Sequence, residues 1–187
     1  MLDYELLKCT AKLFLKAIGE NPEREGLKET PERFARKVME QYRYNGVPNK
    51  VIAKEFGKCF KSPSTDMVVV KDIDIYSHCE HHLALMYDMK VSVGYIPAGK
   101  VIGLSKIARI ADAVGKRLQI QERIGSDILD IIKMVTGAND VIVYIEGKHS
   151  CMTYRGINKP GTVTRTVSTS GAFKMMSYTE QFFSMIK

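Results

Sequence analysis

Met89-Lys90-Val91-Ser92-Val93-Gly94-Tyr95-Ile96 puts an apolar side chain at every second position, the period of a half-buried strand. The run ends at Pro97-Ala98-Gly99-Lys100, a turn composition. Upstream, residues 67–75 have the same two-residue character, so the two runs are expected to pair as neighbouring strands. Downstream the period lengthens. Ile107, Ile110, Ala111, Val114 and Leu118 form the apolar face of one helix. Ile124, Ile128, Leu129, Ile131, Ile132 and Val135 form that of a second, closed by Gly137. Val141–Ile145 reads as a strand apolar on both faces, residues 162–169 as a β-branched strand and residues 173–186 as a terminal helix. The order strand-strand-helix-helix-strand-strand predicts an α+β fold, an antiparallel sheet with helices on one face.

The chain ahead of this unit reads as helical. Leu6, Leu7, Ala11, Phe14, Leu15 and Ile18 recur at helical spacing before Gly19. Thr30-Pro31 has the form of an N-cap followed by proline in the first turn, opening a helix with Phe34, Val38 and Tyr42 on one side. Residues 44–63, rich in Gly, Asn, Lys and Pro, read as a connector. The expected organisation is an N-terminal helical region with its connector over 1–63 and a main domain over 64–187. A strand apolar on both faces needs cover on both. For Val141–Ile145 the second cover is expected to be either the N-terminal helices or a partner subunit.

At 187 residues the chain can bury a substantial core, and its ordinary apolar content excludes disorder throughout. No window approaches the roughly 18 consecutive apolar residues of a membrane span. Acids and lysines interrupt the N-terminal run, so no signal peptide is expected. Cys9, Cys59, Cys79 and Cys151 are too few and too irregularly spaced for a disulfide framework, which points to a reducing cytoplasm. The net charge of +7, from 28 basic and 21 acidic residues, admits an anionic partner without specifying one.

All four histidines fall in two short windows, each with a cysteine: Ser77-His78-Cys79-Glu80-His81-His82 and His149-Ser150-Cys151. Cys79 and His82 have the two-residue gap that lets a turn aim both at one ion, and thiolate with imidazole suits zinc. His149 and Cys151, two apart after an apolar strand, are expected to share a face. The predicted ligand set is Cys79, His82 and Cys151. Three ligands leave a fourth position open, with His81 and His149 as unligated imidazoles suited to proton transfer. A closed structural site with His81 or His149 as fourth ligand fits the same residues. His78 is expected to face away, and Cys9 and Cys59 to be ordinary thiols.

A second constellation could take an anion. Ser105 is placed to cap the helix that follows, and Lys106 and Arg109 share its first turns. A solvated basic face is the plainer reading of the same pair. Gln121-Glu122 opens the next helix and could read the donor edge of a purine, and Arg155 follows Cys151 closely.

Taken together these segments resemble the GTP cyclohydrolase I family. The resemblance runs through residues 25–33, residues 77–82 with the Cys79-Glu80-His81-His82 motif, residues 94–97 and 101–109, residues 117–123 with Gln121-Glu122-Arg123, and residues 149–156. It implies a tunnelling fold, the ββααββ unit already read, in pentameric rings that stack as homodecamers with active sites at subunit interfaces. It further implies a Zn2+ site of Cys79, His82 and Cys151, with His81 and His149 as catalytic histidines and Ser105 near the ribose. Gln121 and Glu122 would hold guanine; Lys106, Arg109, Arg155 and Arg33 would bind the triphosphate. The implied reaction converts GTP to 7,8-dihydroneopterin triphosphate with release of formate, the first step of pterin and tetrahydrofolate biosynthesis. Tyr154 before Arg155, Leu118, and residues 156–165 depart from the commonest family pattern. Two other functions fit parts of the sequence. One is a zinc-containing nucleic-acid or interaction module; interleaved acids and the lack of a nucleic-acid motif argue against it. The other is a related tunnelling-fold deazapurine enzyme, which would require a lone nucleophilic cysteine and a nicotinamide.

Overall fold

The structure, a computed structural model, describes residues 2–187. It divides into two compact units, Met1–Gly46 and Val47–Lys187. In the first, helix α1 (Tyr4–Ala17) packs on α2 (Thr30–Gln41), with a 3-10 turn at Glu25–Leu27 between them. Asp3 caps α1 by accepting from the Leu6 amide at 2.9 Å. Glu29, not Thr30, occupies the cap position of α2, so Thr30 and Pro31 form its first turn. The buried face of this pair consists of Ala11, Leu15, Pro31 and Ala35.

The second unit starts inside the expected connector. Asn49–Phe56 forms helix α3, which buries Ile52 and packs against a later helix of the same unit. Cys59–Lys61 (β1) then pairs with Lys100–Ile102 (β4) as a small antiparallel ribbon. The main sheet holds β2 (Val68–Cys79), β3 (Leu85–Tyr95), β5 (Leu118–Gln119), β6 (Val141–His149) and β7 (Thr164–Thr169), in the order β5-β2-β3-β6-β7. All neighbours are antiparallel except β5, which adds two residues in parallel beside His78 and Cys79. The crossover between the two hairpins consists of α4 (Leu104–Gly115) and α5 (Gln121–Thr136). Gly137 ends α5 with φ +72, the left-handed cap that glycine adopts without strain. Strand β6 leads through α6 (Ser150–Thr153) before β7, and the chain closes with α7 (Met176–Ile186). This is the ββααββ order of the tunnelling fold.

Alternation divides the sheet into two covered faces. Val91, Val93, Val143 and Ile145 are fully buried, and Ile145 lies against α5. Residues of opposite parity in β6, Ile142 and Tyr144, belong to a second cluster with Phe173, Phe182, Phe183 and Tyr178. The second face of Val141–Ile145 is therefore covered by the chain's own C-terminal segment rather than by either expected partner. The terminal helix is also interrupted: Gly171–Lys174 is a 3-10 turn, and an extended Met175 resets the direction before α7. No helix among the described residues is long and apolar enough to cross a membrane.

Gly94 on β3 makes room for this cover. A Cβ there would stand 2.7 Å from the Phe182 ring and 2.9 Å from Ile142 Cγ2. Gly94→Ala is therefore expected to cost about 1–3 kcal/mol, the usual range for overpacking a filled core. Urea denaturation would read it, and an unchanged midpoint would mean that Phe182 moves aside freely.

Candidate metal centre and its surroundings

The two histidine windows are brought together by strand pairing and then by two tight turns. β2 carries the chain to Cys79, whose amide donates to Ala84 O at 2.9 Å and closes the turn over residues 80–83. Leu83 takes φ +52 in that turn, and the Glu80 amide donates to Gln119 O at 2.9 Å. On the other side, β6 pairs with β3 so that His149 stands opposite Met86. The strand stops there. Ser150–Thr153 is a helical turn, anchored by Ser150 Oγ donating to Leu85 O at 2.6 Å and Tyr87 OH donating to Thr153 Oγ1 at 3.0 Å. Cys151 therefore projects from a helical turn, not from the strand face it was expected to share with His149.

The outcome is convergence. One ligand atom from each of Cys79, His82 and Cys151 lies within 4.8 Å of the other two. Cys79 is buried, Cys151 half-buried and His82 exposed, so the group opens to solvent on the imidazole side. His81 Nδ1 stands 3.7 Å from Cys79 Sγ. The Cys151 thiol is pushed above its ordinary pKa, first by burial and then by Cys79 beside it. Burial pushes His149 the other way, below the ordinary imidazole value, while the nearby Glu122 charge partly opposes the shift. His78 is buried in β2 between Leu85 and Leu118.

Gln121 and Glu122 share the first turn of α5 but differ in environment. Glu122 is exposed, whereas Gln121 is 1% exposed. The Gln121 carboxamide nitrogen lies 3.2 Å from Ile145 O, 3.1 Å from Thr164 O and 3.3 Å from Thr166 Oγ1. Its oxygen lies 2.8 Å from His149 Nε2. Arg123, the third member of that motif, donates to Leu118 O at 3.1 Å and forms an ion pair with Glu80. Sequence reading overlooked this link, although both partners lie inside the two quoted motifs.

Lys106 and Arg109 lie on the first turns of α4, whose cap is Gly103 and whose N-terminal amides have no side-chain cap. Ser105 is thus inside the helix rather than capping it, and is exposed. Arg155 follows α6, and its charge acts to lower the Cys151 pKa. None of Lys106, Arg109 and Arg155 forms an ion pair among the described residues. Arg33 sits in α2 of the first unit, ion-paired with Glu29.

Comparison with known proteins gives a consistent set of likenesses. A family model described as GTP cyclohydrolase I matches residues 7–187. The protein named GTP cyclohydrolase 1 from Clostridium botulinum (strain Loch Maree / Type A3) is 52% identical over 178 residues, covering 92% of this chain and 91% of that protein. One of the same name from Ruminiclostridium cellulolyticum is 56% identical over 166 residues, covering 86% and 85%. Among solved structures, an archaeosine synthase QueF-Like in the apo form aligns with TM-score 0.45 and 23% identity, over 60% of this chain and 98% of that one.

Proposed function

This chain belongs to the GTP cyclohydrolase I family, and on that footing we propose that it converts GTP to 7,8-dihydroneopterin triphosphate and formate at a zinc site held by Cys79, His82 and Cys151. The observation that carries the proposal is the convergence of these three side chains from the end of β2, the turn that follows it and the helical turn α6. Two thiols and an imidazole are the donor chemistry that zinc prefers. Zinc bonds of about 2.0–2.3 Å imply tetrahedron edges of roughly 3.3–3.8 Å, within the spacing of these atoms. When bound there, zinc would supply Lewis acidity for hydrolysis at C8 of the purine.

The chain's own residues would do the rest. Glu122, exposed at the start of α5, would accept from the donor N–H groups of guanine. Ser105 would lie near the ribose. Lys106 and Arg109, beside uncapped helix amides, would meet the triphosphate together with Arg155, and Arg33 joins this set through the resemblance of its segment. Opening the imidazole ring, hydrolysing the resulting formamide and rearranging the ribose all require protons to be delivered and removed. His81 and His149 are the groups assigned to that work. Two thiolates already balance a divalent charge, so proton transfer by a neighbouring imidazole matters more than it would at an all-histidine site. We place the reaction at the head of pterin and tetrahydrofolate biosynthesis, and in the cytoplasm, where ligand thiols stay reduced. The resemblance also supports a homodecamer of two pentamers with active sites at interfaces. The strand β7 at one side of the sheet, with Val167 exposed, would be covered by edge-to-edge association.

Incubating zinc-loaded protein with GTP should release formate and yield a pterin that fluoresces after oxidation. The proposal fails if a metal-replete, assembled sample yields neither. His149→Ala should keep its zinc while losing roughly a hundredfold or more in turnover. Zinc loss in that variant would instead make His149 a ligand.

A further inference from the structure

Gln121 is buried and makes no use of solvent, yet every polar atom of its side chain is engaged. Its nitrogen is surrounded by oxygen atoms of Ile145, Thr164 and Thr166. Two of these are backbone carbonyls, which can only accept. The end of the carboxamide facing them must therefore be the amide nitrogen, and the end facing His149 must be the carbonyl oxygen. A carbonyl oxygen accepts, so at 2.8 Å the His149 Nε2 must be the donor.

We infer that Gln121 is a positioning residue that holds neutral His149 in its Nε2–H tautomer, leaving Nδ1 as the lone-pair atom through which the ring exchanges protons. The anchor is rigid because Ile145 and Thr164 are on paired strands, β6 and β7, while Gln121 begins the helix packed on them. This assignment takes the Gln121 side chain away from the base and leaves base recognition to Glu122. It rests on the proposed reaction for its catalytic consequence, but not for the tautomer itself.

The two parts can be measured separately. Zinc-loaded protein carrying 15N-labelled histidine should show, in magic-angle-spinning NMR, a protonated Nε2 and an unprotonated Nδ1 for His149, assigned by its absence in His149→Ala. Gln121→Met, similar in volume but without an acceptor, should lose that single tautomer. Its kcat should fall by about ten- to a hundredfold with the KM for GTP within roughly twofold. Thr166→Val removes only one of three acceptors of the amide and should change little, which separates positioning from general damage to the sheet. A protonated Nδ1 in the unsubstituted protein overturns the inference. So does a Gln121→Met protein with raised KM and unchanged kcat, the signature of a base-binding glutamine. If the tautomer is as stated but no pterin forms, the proposed reaction fails and the hydrogen-bond assignment stands.

Discussion

Replacing Cys79 with alanine is expected to leave the protein without bound metal and to reduce GTP turnover roughly a thousandfold or more. Cys79 is the buried member of the ligand group, fixed at the end of a paired strand by its own amide bond to Ala84. Neither His82, which is exposed, nor Cys151, on a four-residue helical turn, has an equally rigid seat. Elemental analysis should fall from about one zinc per chain to near zero, as a site left with two ligands no longer closes around the ion. The pH dependence of metal uptake follows from Cys151. Its thiol pKa is raised, so the proton persists at neutral pH and must be displaced before sulfur can bind. Zinc uptake should therefore acidify a weakly buffered solution, and affinity should fall as pH falls. Cys79→Ala protein that retains stoichiometric zinc and full turnover would move the metal centre elsewhere.

What the sequence discloses about this site depends on how local each signal is. The Cys79, His82 and Cys151 cluster was legible because its spacing is short: a two-residue gap in one window, and a cysteine just past a strand in the other. The two strands whose pairing joins the windows were legible in the two-residue periodicity of residues 89–96 and the apolar run at 141–145, but their pairing with each other was not. Side-chain direction was less accessible. Gln121 and Glu122 are adjacent and both polar, and only the packing of α5 on β6 and β7 shows that one points inward to His149 while the other remains exposed. Helix α3 escaped notice because only Ile52 is buried and its neighbours are the residues of a loop. The cover on the second face of β6 was assigned to the wrong partners for a related reason. Ile142 and Phe182 are far apart in sequence, and the one local trace of their contact is the missing side chain at Gly94.

The second large effect concerns a charge pair of which Arg117 is buried and Asp127 half-buried. Arg117 follows α4 and Asp127 lies in α5, their side chains 10% and 18% exposed, with Arg117 Nη1 donating to Asp127 Oδ2 at 2.9 Å. The pair is held further by neutral groups, although the buried Arg117 Nε has no hydrogen-bond partner among the described residues. Arg117 also donates to Asn49 Oδ1 at 2.8 Å and Val47 O at 2.6 Å, and Asp127 accepts from Asn49 Nδ2 at 3.0 Å and Gln119 Nε2 at 3.1 Å. These bonds tie the start of α3 to α5 and the short strand β5. Asp127→Ala strands a guanidinium that cannot lose its proton, among carbonyl oxygens too few to replace a carboxylate. The expected cost is about 3–5 kcal/mol, read as a shift in the chemical denaturation midpoint at one fixed protein concentration. The double variant Arg117→Met with Asp127→Leu should recover most of that loss, because removing both charges also removes the desolvation penalty. A single-variant cost below about 1 kcal/mol would place the pair with weakly coupled surface bridges. The network also has a direction. Gln119 accepts from Arg123 Nε at 2.7 Å, and Arg123 pairs with Glu80 in the turn between Cys79 and His82. Damage at Asp127 is therefore expected to reach the turn that carries His82 through Gln119, so zinc affinity should weaken in Asp127→Ala and return in the double variant only as far as Gln119 finds a new partner.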